Sequence, residues 1–112
     1  MATGTIKHSL DRPVTVTALM GTLEKVSVIQ EGKLVSGYIS FGAMTCETTY
    51  SWMNLARISV PSNVEAVAHA YLSADGSYCG IIRFKTDGIV QIYGMKTFTD
   101  KSMNFMFAYR TT

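Results

Sequence analysis

Met103-Asn104-Phe105-Met106-Phe107-Ala108-Tyr109-Arg110 decides the fold class. Taken alternately, Met103, Phe105, Phe107 and Tyr109 fall on one face of an extended chain, and Asn104, Met106, Ala108 and Arg110 on the other. The first face reads as core. The second carries Met106 and Ala108, so it is not properly polar. A strand apolar on both faces is either sandwiched or at a subunit interface.

Outward from this strand, short apolar stretches alternate with turns. The candidate strands are Val14–Leu19, Leu23–Ile29, Leu34–Phe41, Met53–Ile58, Tyr78–Phe84, Ile89–Tyr93 and Met103–Tyr109. Turn signals stand at Glu31-Gly32, Asp75-Gly76, Asp87-Gly88 and Thr99-Asp100-Lys101. Glycine supplies the positive φ of tight hairpin turns, and Asp bonds its own backbone beside it. Strands at intervals near ten residues predict an all-β sandwich or barrel.

One segment competes for another state. Ser62-Asn63-Val64-Glu65 matches a helix capping box, and Val64, Val67, Ala68, Tyr71 and Leu72 recur at helical spacing. As a strand, Glu65, Val67, His69 and Tyr71 alternate with Ala66, Ala68, Ala70 and Leu72. A helix here would be short, whereas the length is ordinary for a strand. The strand-rich surroundings favour the strand.

The chain has 112 residues, the size of one domain, and can bury a core without disulfides or a metal. Charged residues make up 16% of it, well below the usual quarter, which predicts apolar patches on a monomer. The ten Lys and Arg lie singly and the net charge is +2, which argues against nucleic acid. No apolar run is long enough for a transmembrane helix, and the N-terminus lacks the apolar stretch of a signal peptide. The expectation is cytosolic synthesis or a leader already removed. Cys46 and Cys79 read as two buried small hydrophobes rather than a disulfide framework.

Catalytic constellations are absent from the sequence. His8 and His69 lie far apart without metal-ligand spacing, and no nucleophile elbow or phosphate loop occurs. Cys46 and His69 match a nucleophile–base pair in residue type alone. The expectation is therefore a binding domain without cofactor, not an enzyme. His69 reads as a core or interface histidine, or as a ligand contact. Asp75 and Asp87 read first as turn residues. Trp52 reads as a packing element or a sugar platform. Tyr71, Tyr78 and Tyr93 fall in or beside hairpins and are candidates to line a saccharide pocket.

The order of these parts resembles a known family. A hairpin from Leu23 to Phe41 precedes a segment opening at Trp52 and an apolar-Pro step, Ile58-Ser59-Val60-Pro61. An alternating run into Ala74-Asp75-Gly76, the hairpin Ile82–Tyr93 and a final aromatic strand complete it. This is similar to the C-terminal receptor-binding head domains of bacteriophage tail-fibre and baseplate proteins, of the type carried by siphophages of Gram-positive bacteria. The resemblance covers Leu23 to Tyr109, and the order of its parts carries it more than any one motif.

The resemblance implies a jelly-roll-like antiparallel β-sandwich assembled as a homotrimer on the virion, at the tail tip or baseplate. It implies binding of host cell-wall saccharide or a teichoic-acid-like polymer, strengthened by multivalency. It divides the chain into an N-terminal arm or neck remnant with a possible first strand, 1–22, and a head, 23–112. Family pockets combine an aromatic, an acid, an Arg and a His, and Trp52, Asp75, Arg83 and His69 are of those types. With Tyr78 and Tyr93 they form the candidate ligand site. The alternative is a structural virion or scaffold β-domain with no ligand of its own.

Overall fold

Residues 11–112 are described by the structure, a computed structural model. Residues 1–10, with His8 and the first part of the expected arm, lie outside the described residues. The strands are β1 (Asp11–Pro13), β2 (Val16–Ala18), β3 (Leu23–Glu31), β4 (Leu34–Cys46), β5 (Trp52–Ile58), β6 (Ala66–Leu72), β7 (Tyr78–Phe84), β8 (Ile89–Gly94) and β9 (Phe98–Arg110). They form one all-antiparallel sheet in the order β1-β3-β4-β9-β6-β7-β8-β5-β2.

The two end strands of that order are neighbours in sequence. β1 pairs with β3 and β2 with β5, and only Val14 and Thr15 separate them. The sheet therefore curls until its edges meet on one segment. Val14 N–H donates to Val28 O, and Ser59 N–H donates to Thr15 O, so the junction is stitched from both sides. The result is a near-barrel, flattened to 49 × 27 × 19 Å. The thin dimension accommodates two stacked layers about 10 Å apart. Of the Val14–Leu19 strand predicted from sequence only Val16–Ala18 is strand, and β1, on the opposite edge, lies just before it and was not predicted.

Inside this frame the pairs β4·β9, β5·β8 and β6·β7 are nested about the β6–β7 hairpin. The order β9-β6-β7-β8 is a Greek key, with β9 returning beside β6.

The alternation of β9 holds. Met103, Phe105, Phe107 and Tyr109 are buried, and Phe84 lies against three of them, with ring centroids 4.5 Å from Phe107, 5.3 Å from Tyr109 and 6.2 Å from Phe105. A truncation at such a ring costs about 3–5 kcal/mol. Met106 on the other face is 72% exposed.

The segment 64–72 is a strand from Ala66 to Leu72, with Ala68, Ala70 and Leu72 inward. Ser62, the supposed helix cap, donates its hydroxyl to Val64 O and closes a local turn. The glycines at Glu31-Gly32, Asp75-Gly76 and Asp87-Gly88 have positive φ, as hairpin turns demand. The fourth turn signal is corrected. Thr99-Asp100-Lys101 lies within β9, Lys101 pairs with Met44, and Asp100 at φ 54 marks an irregularity in the ladder rather than a reversal. Cys46 and Cys79 are buried free thiols.

Candidate functional site

Two β-bulges shape the outer face of β5, β8, β7 and β6. In β5, Asn54 pairs with Gln91 and Ala56 with Val90, which leaves Leu55 as an extra residue. Strict alternation would put Trp52 on the face of Ala56 and Ile58, which is core. The bulge shifts the phase, so Leu55 and Ala56 are both buried while Trp52 and Asn54 turn outward. The Leu55 carbonyl, released from the ladder, accepts N–H bonds from Leu19 and Met20.

The β6–β7 pair repeats the device. Ala70 pairs with Gly80 and Tyr71 with Tyr78, leaving Cys79 as the extra residue. Cys79 is buried and Tyr78 is turned out beside Tyr71, ring centroids 5.9 Å apart. Each bulge adds a small or apolar side chain to the core and rotates an aromatic to the surface.

The register then sets a row across four strands. Trp52 pairs with Tyr93, Tyr93 with Ile81, and Ile81 with His69. The next row is Asn54, Gln91, Arg83 and Val67. The Arg83 guanidinium carbon lies 3.8 Å from the Trp52 ring centroid. Arg83 Nε and Nη2 donate to Gln91 Oε1, and Gln91 Nε2 donates to Asn54 Oδ1 at 2.9 Å. Arg83 Nη1 is 3.9 Å from a partly exposed Glu65 carboxylate, beyond hydrogen-bond range. One edge of the guanidinium is therefore tied to the sheet. The other keeps donor capacity for a ligand.

Two further aromatics flank the row. Tyr50, in the β4–β5 loop, sits 6.2 Å from Tyr93 and is 64% exposed at φ 60. A bulky residue in that region is strained, and such strain concentrates at ligand sites. At the other end His69 lies 5.6 Å from Tyr78. Burial, then the neighbouring Tyr71, hold the Tyr78 phenol above its ordinary value.

Beyond β6 the sheet opens. β6 and β9 pair only at Tyr71–Asn104 and Leu72–Met103, and the next bond between the two sides is Asn63 N–H to Arg110 O. The gap between is a groove of about 450 Å³ lined by Val67, His69, Tyr71, Asn104, Met106 and Ala108, over Phe105 and Phe107.

Trp52, Arg83, Tyr93, His69 and Tyr78 thus share one sheet face. Asp75 stands apart in the β6–β7 turn, where its Oδ1 accepts from Ser77 N–H and hydroxyl and the carboxyl is held below its ordinary value by those bonds. Asp87 does the same for Ile89 N–H. The core reading of His69 is corrected: it is exposed, because it alternates with the buried alanines of β6. Cys46 is buried on β4, its thiol donating to Thr48 O, so it does not meet His69. Among the described residues, no three His, Cys, Asp or Glu side chains converge as metal ligands. Sequence reasoning missed Tyr50, placed by a positive-φ loop conformation, and Asn54, Gln91 and Asn104, whose neighbours are set by register.

The face and fold define an antiparallel β-domain with an aromatic, amide-lined outer surface. No protein-family model and no curated protein matches the chain.

Proposed function

We propose that this chain is a saccharide-binding attachment domain, and that the outer face of β5, β8 and β7 is its recognition surface. The observation that carries this reading is the Trp52–Arg83–Gln91–Asn54 constellation. Aromatic rings offer apolar faces to the C–H side of a sugar, and the guanidinium and amides offer donors and acceptors to its hydroxyls. The charges on this face are few and mixed, Arg83 near Glu65, Lys85 near Asp87 and an exposed Arg57, which suits a polyhydroxyl ligand better than a polyanion. The chemistry of the site is binding, not catalysis.

On this reading the domain serves as a phage-type receptor-binding head on the virion, recognising host cell-wall saccharide. The nested strand pairs support a jelly-roll-like description of the near-barrel. The exposed Met106, with Val67 at 60% exposure across the groove, supports a homotrimer whose contact includes the outer face of β9. That same apolar face favours the second reading, a structural β-domain that uses it for assembly and takes no ligand.

A glycan array probed with the wild-type protein and Trp52→Ala separates the two. The attachment reading predicts signal on a defined set of glycans, lost in the variant. An array with no signal above background removes it and leaves the structural reading.

A further inference from the structure

We infer that the ligand of this face is an extended chain lying across the strands, and not a single terminal sugar. This rests on the saccharide reading above and adds the form of the ligand. Trp52 and Tyr93, 5.0 Å apart, form one end of an aromatic line with Tyr50; His69, Tyr78 and Tyr71 form the other. Ile81 joins them, paired in register to Tyr93 on one side and His69 on the other. From β5 to β6 the line crosses three inter-strand steps, roughly 14 Å at the usual sheet spacing. It ends at Tyr71, on the rim of the β6–β9 groove and short of the Met106 face. One pyranose ring cannot touch both ends of such a line; a run of linked rings touches them all.

Two observations independent of the ring spacing point the same way. Each end of the line is turned out by its own bulge, Leu55 for Trp52 and Cys79 for Tyr78. Bulges that re-aim side chains recur at binding sites, and here two separate ones aim at the same face. Tyr50 is held in a strained conformation while its ring lies beside Tyr93, extending the line past β5. Across the face the charges are few and mixed, with Arg83 near Glu65, Lys85 near Asp87 and Arg57 beyond them. This favours a neutral polyhydroxyl chain over single-stranded nucleic acid, which stacks on aromatics within a strongly basic groove.

The test uses Trp52, the only tryptophan, as the fluorescent reporter. Linear gluco-, manno- and N-acetylglucosamine oligosaccharides from monomer to octamer are titrated against the intact protein, with oligo(dT) in parallel. The inference predicts that affinity for one series rises about tenfold or more with chain length before levelling. It predicts that Tyr71→Ala, at the end remote from Trp52, removes this gain. Should Tyr71→Ala fold poorly, Tyr71→Leu keeps apolar bulk without the ring and shows the same loss. Saccharide binding that is independent of length, or a full gain in both Tyr71 variants, overturns the extended-chain inference while leaving saccharide binding intact. No response to any saccharide overturns both readings. Tight oligo(dT) binding assigns the line to nucleic acid and overturns the inference.

Discussion

The Arg83 guanidinium lies over the Trp52 indole, its central carbon 3.8 Å from the ring centroid, and Gln91 holds it there from the neighbouring strand. A part-buried cation on an indole contributes about 1 kcal/mol, and the stack also fixes a side chain that otherwise samples many rotamers. Arg83→Ala is therefore expected to lower stability by about 1 kcal/mol and to shift the emission of Trp52. Denaturant melts with fluorescence detection check both; unchanged emission indicates that the two side chains are not stacked in solution.

The β7–β8 turn requires glycine. Gly88 has φ +90, and an added Cβ would stand 3.0 Å from the Ile58 carbonyl oxygen. Gly88→Ala combines backbone strain with a close contact to backbone, for a cost of roughly 1–3 kcal/mol. Gly37 is tighter still, a Cβ there meeting Ser27 O at 2.3 Å. Gly37→Ala is expected to be the more damaging of the two in thermal melts, and the reverse order contradicts the packing of β3 on β4.

Alkaline pH is expected to destabilise the fold through two buried groups. Burial pushes the Tyr109 phenol up to about 12 and the Cys79 thiol up to about 11. Both groups are neutral below their ordinary values and are held neutral by the fold above them. Their contribution is complete below about pH 9 and is lost as pH rises towards 11 for Cys79 and 12 for Tyr109. Tyr109→Phe removes the phenol's share of that dependence but leaves Val60 O without its hydrogen bond, so it is less stable at neutral pH and less sensitive above pH 10. Melts between pH 8 and 12 test this; identical alkaline slopes for the two proteins contradict it.

Assembly is expected to involve the outer face of β9. Met106 is 72% exposed between Asn104 and Ala108, and a solvated strand would carry polar residues there. Met106→Glu should convert a trimer to monomer, because like charges would be brought together out of water. Sedimentation velocity at micromolar concentration distinguishes the outcomes, and a monomeric wild-type protein removes this interface.

Much of the fold was legible where one rule acted alone. Met103 to Arg110 alternates without interruption, and the alanines of β6 mark an inward face however its helical spacing is counted. Irregularity hid the rest. Thr99-Asp100-Lys101 has turn chemistry, but its positive φ is spent on a kink within a strand that keeps its partner in β4. The sequence shows one short strand at Val14–Leu19, whereas the chain from Asp11 to Ala18 serves two edges, because barrel closure is not a local property.

The candidate site was legible in residue type and illegible in arrangement. Trp52 and Tyr78 alternate with the wrong residues unless Leu55 and Cys79 are counted as bulges, and nothing in local propensity announces either. Arg83, Gln91 and Asn54 come from three strands and meet only through register. Tyr50 adopts a conformation usually given to glycine, so pattern alone passes over it.

On the proposed function, a saccharide binds the face carrying Trp52. Amide and indole chemical-shift mapping by NMR, on isotopically labelled protein titrated with the best array glycan, tests it most directly. The largest shifts are expected on Trp52, Tyr93, Arg83 and the side-chain amides of Gln91 and Asn54. Shifts concentrated elsewhere, for example around Arg12 and Gln30 at the β1–β3 edge, would contradict it.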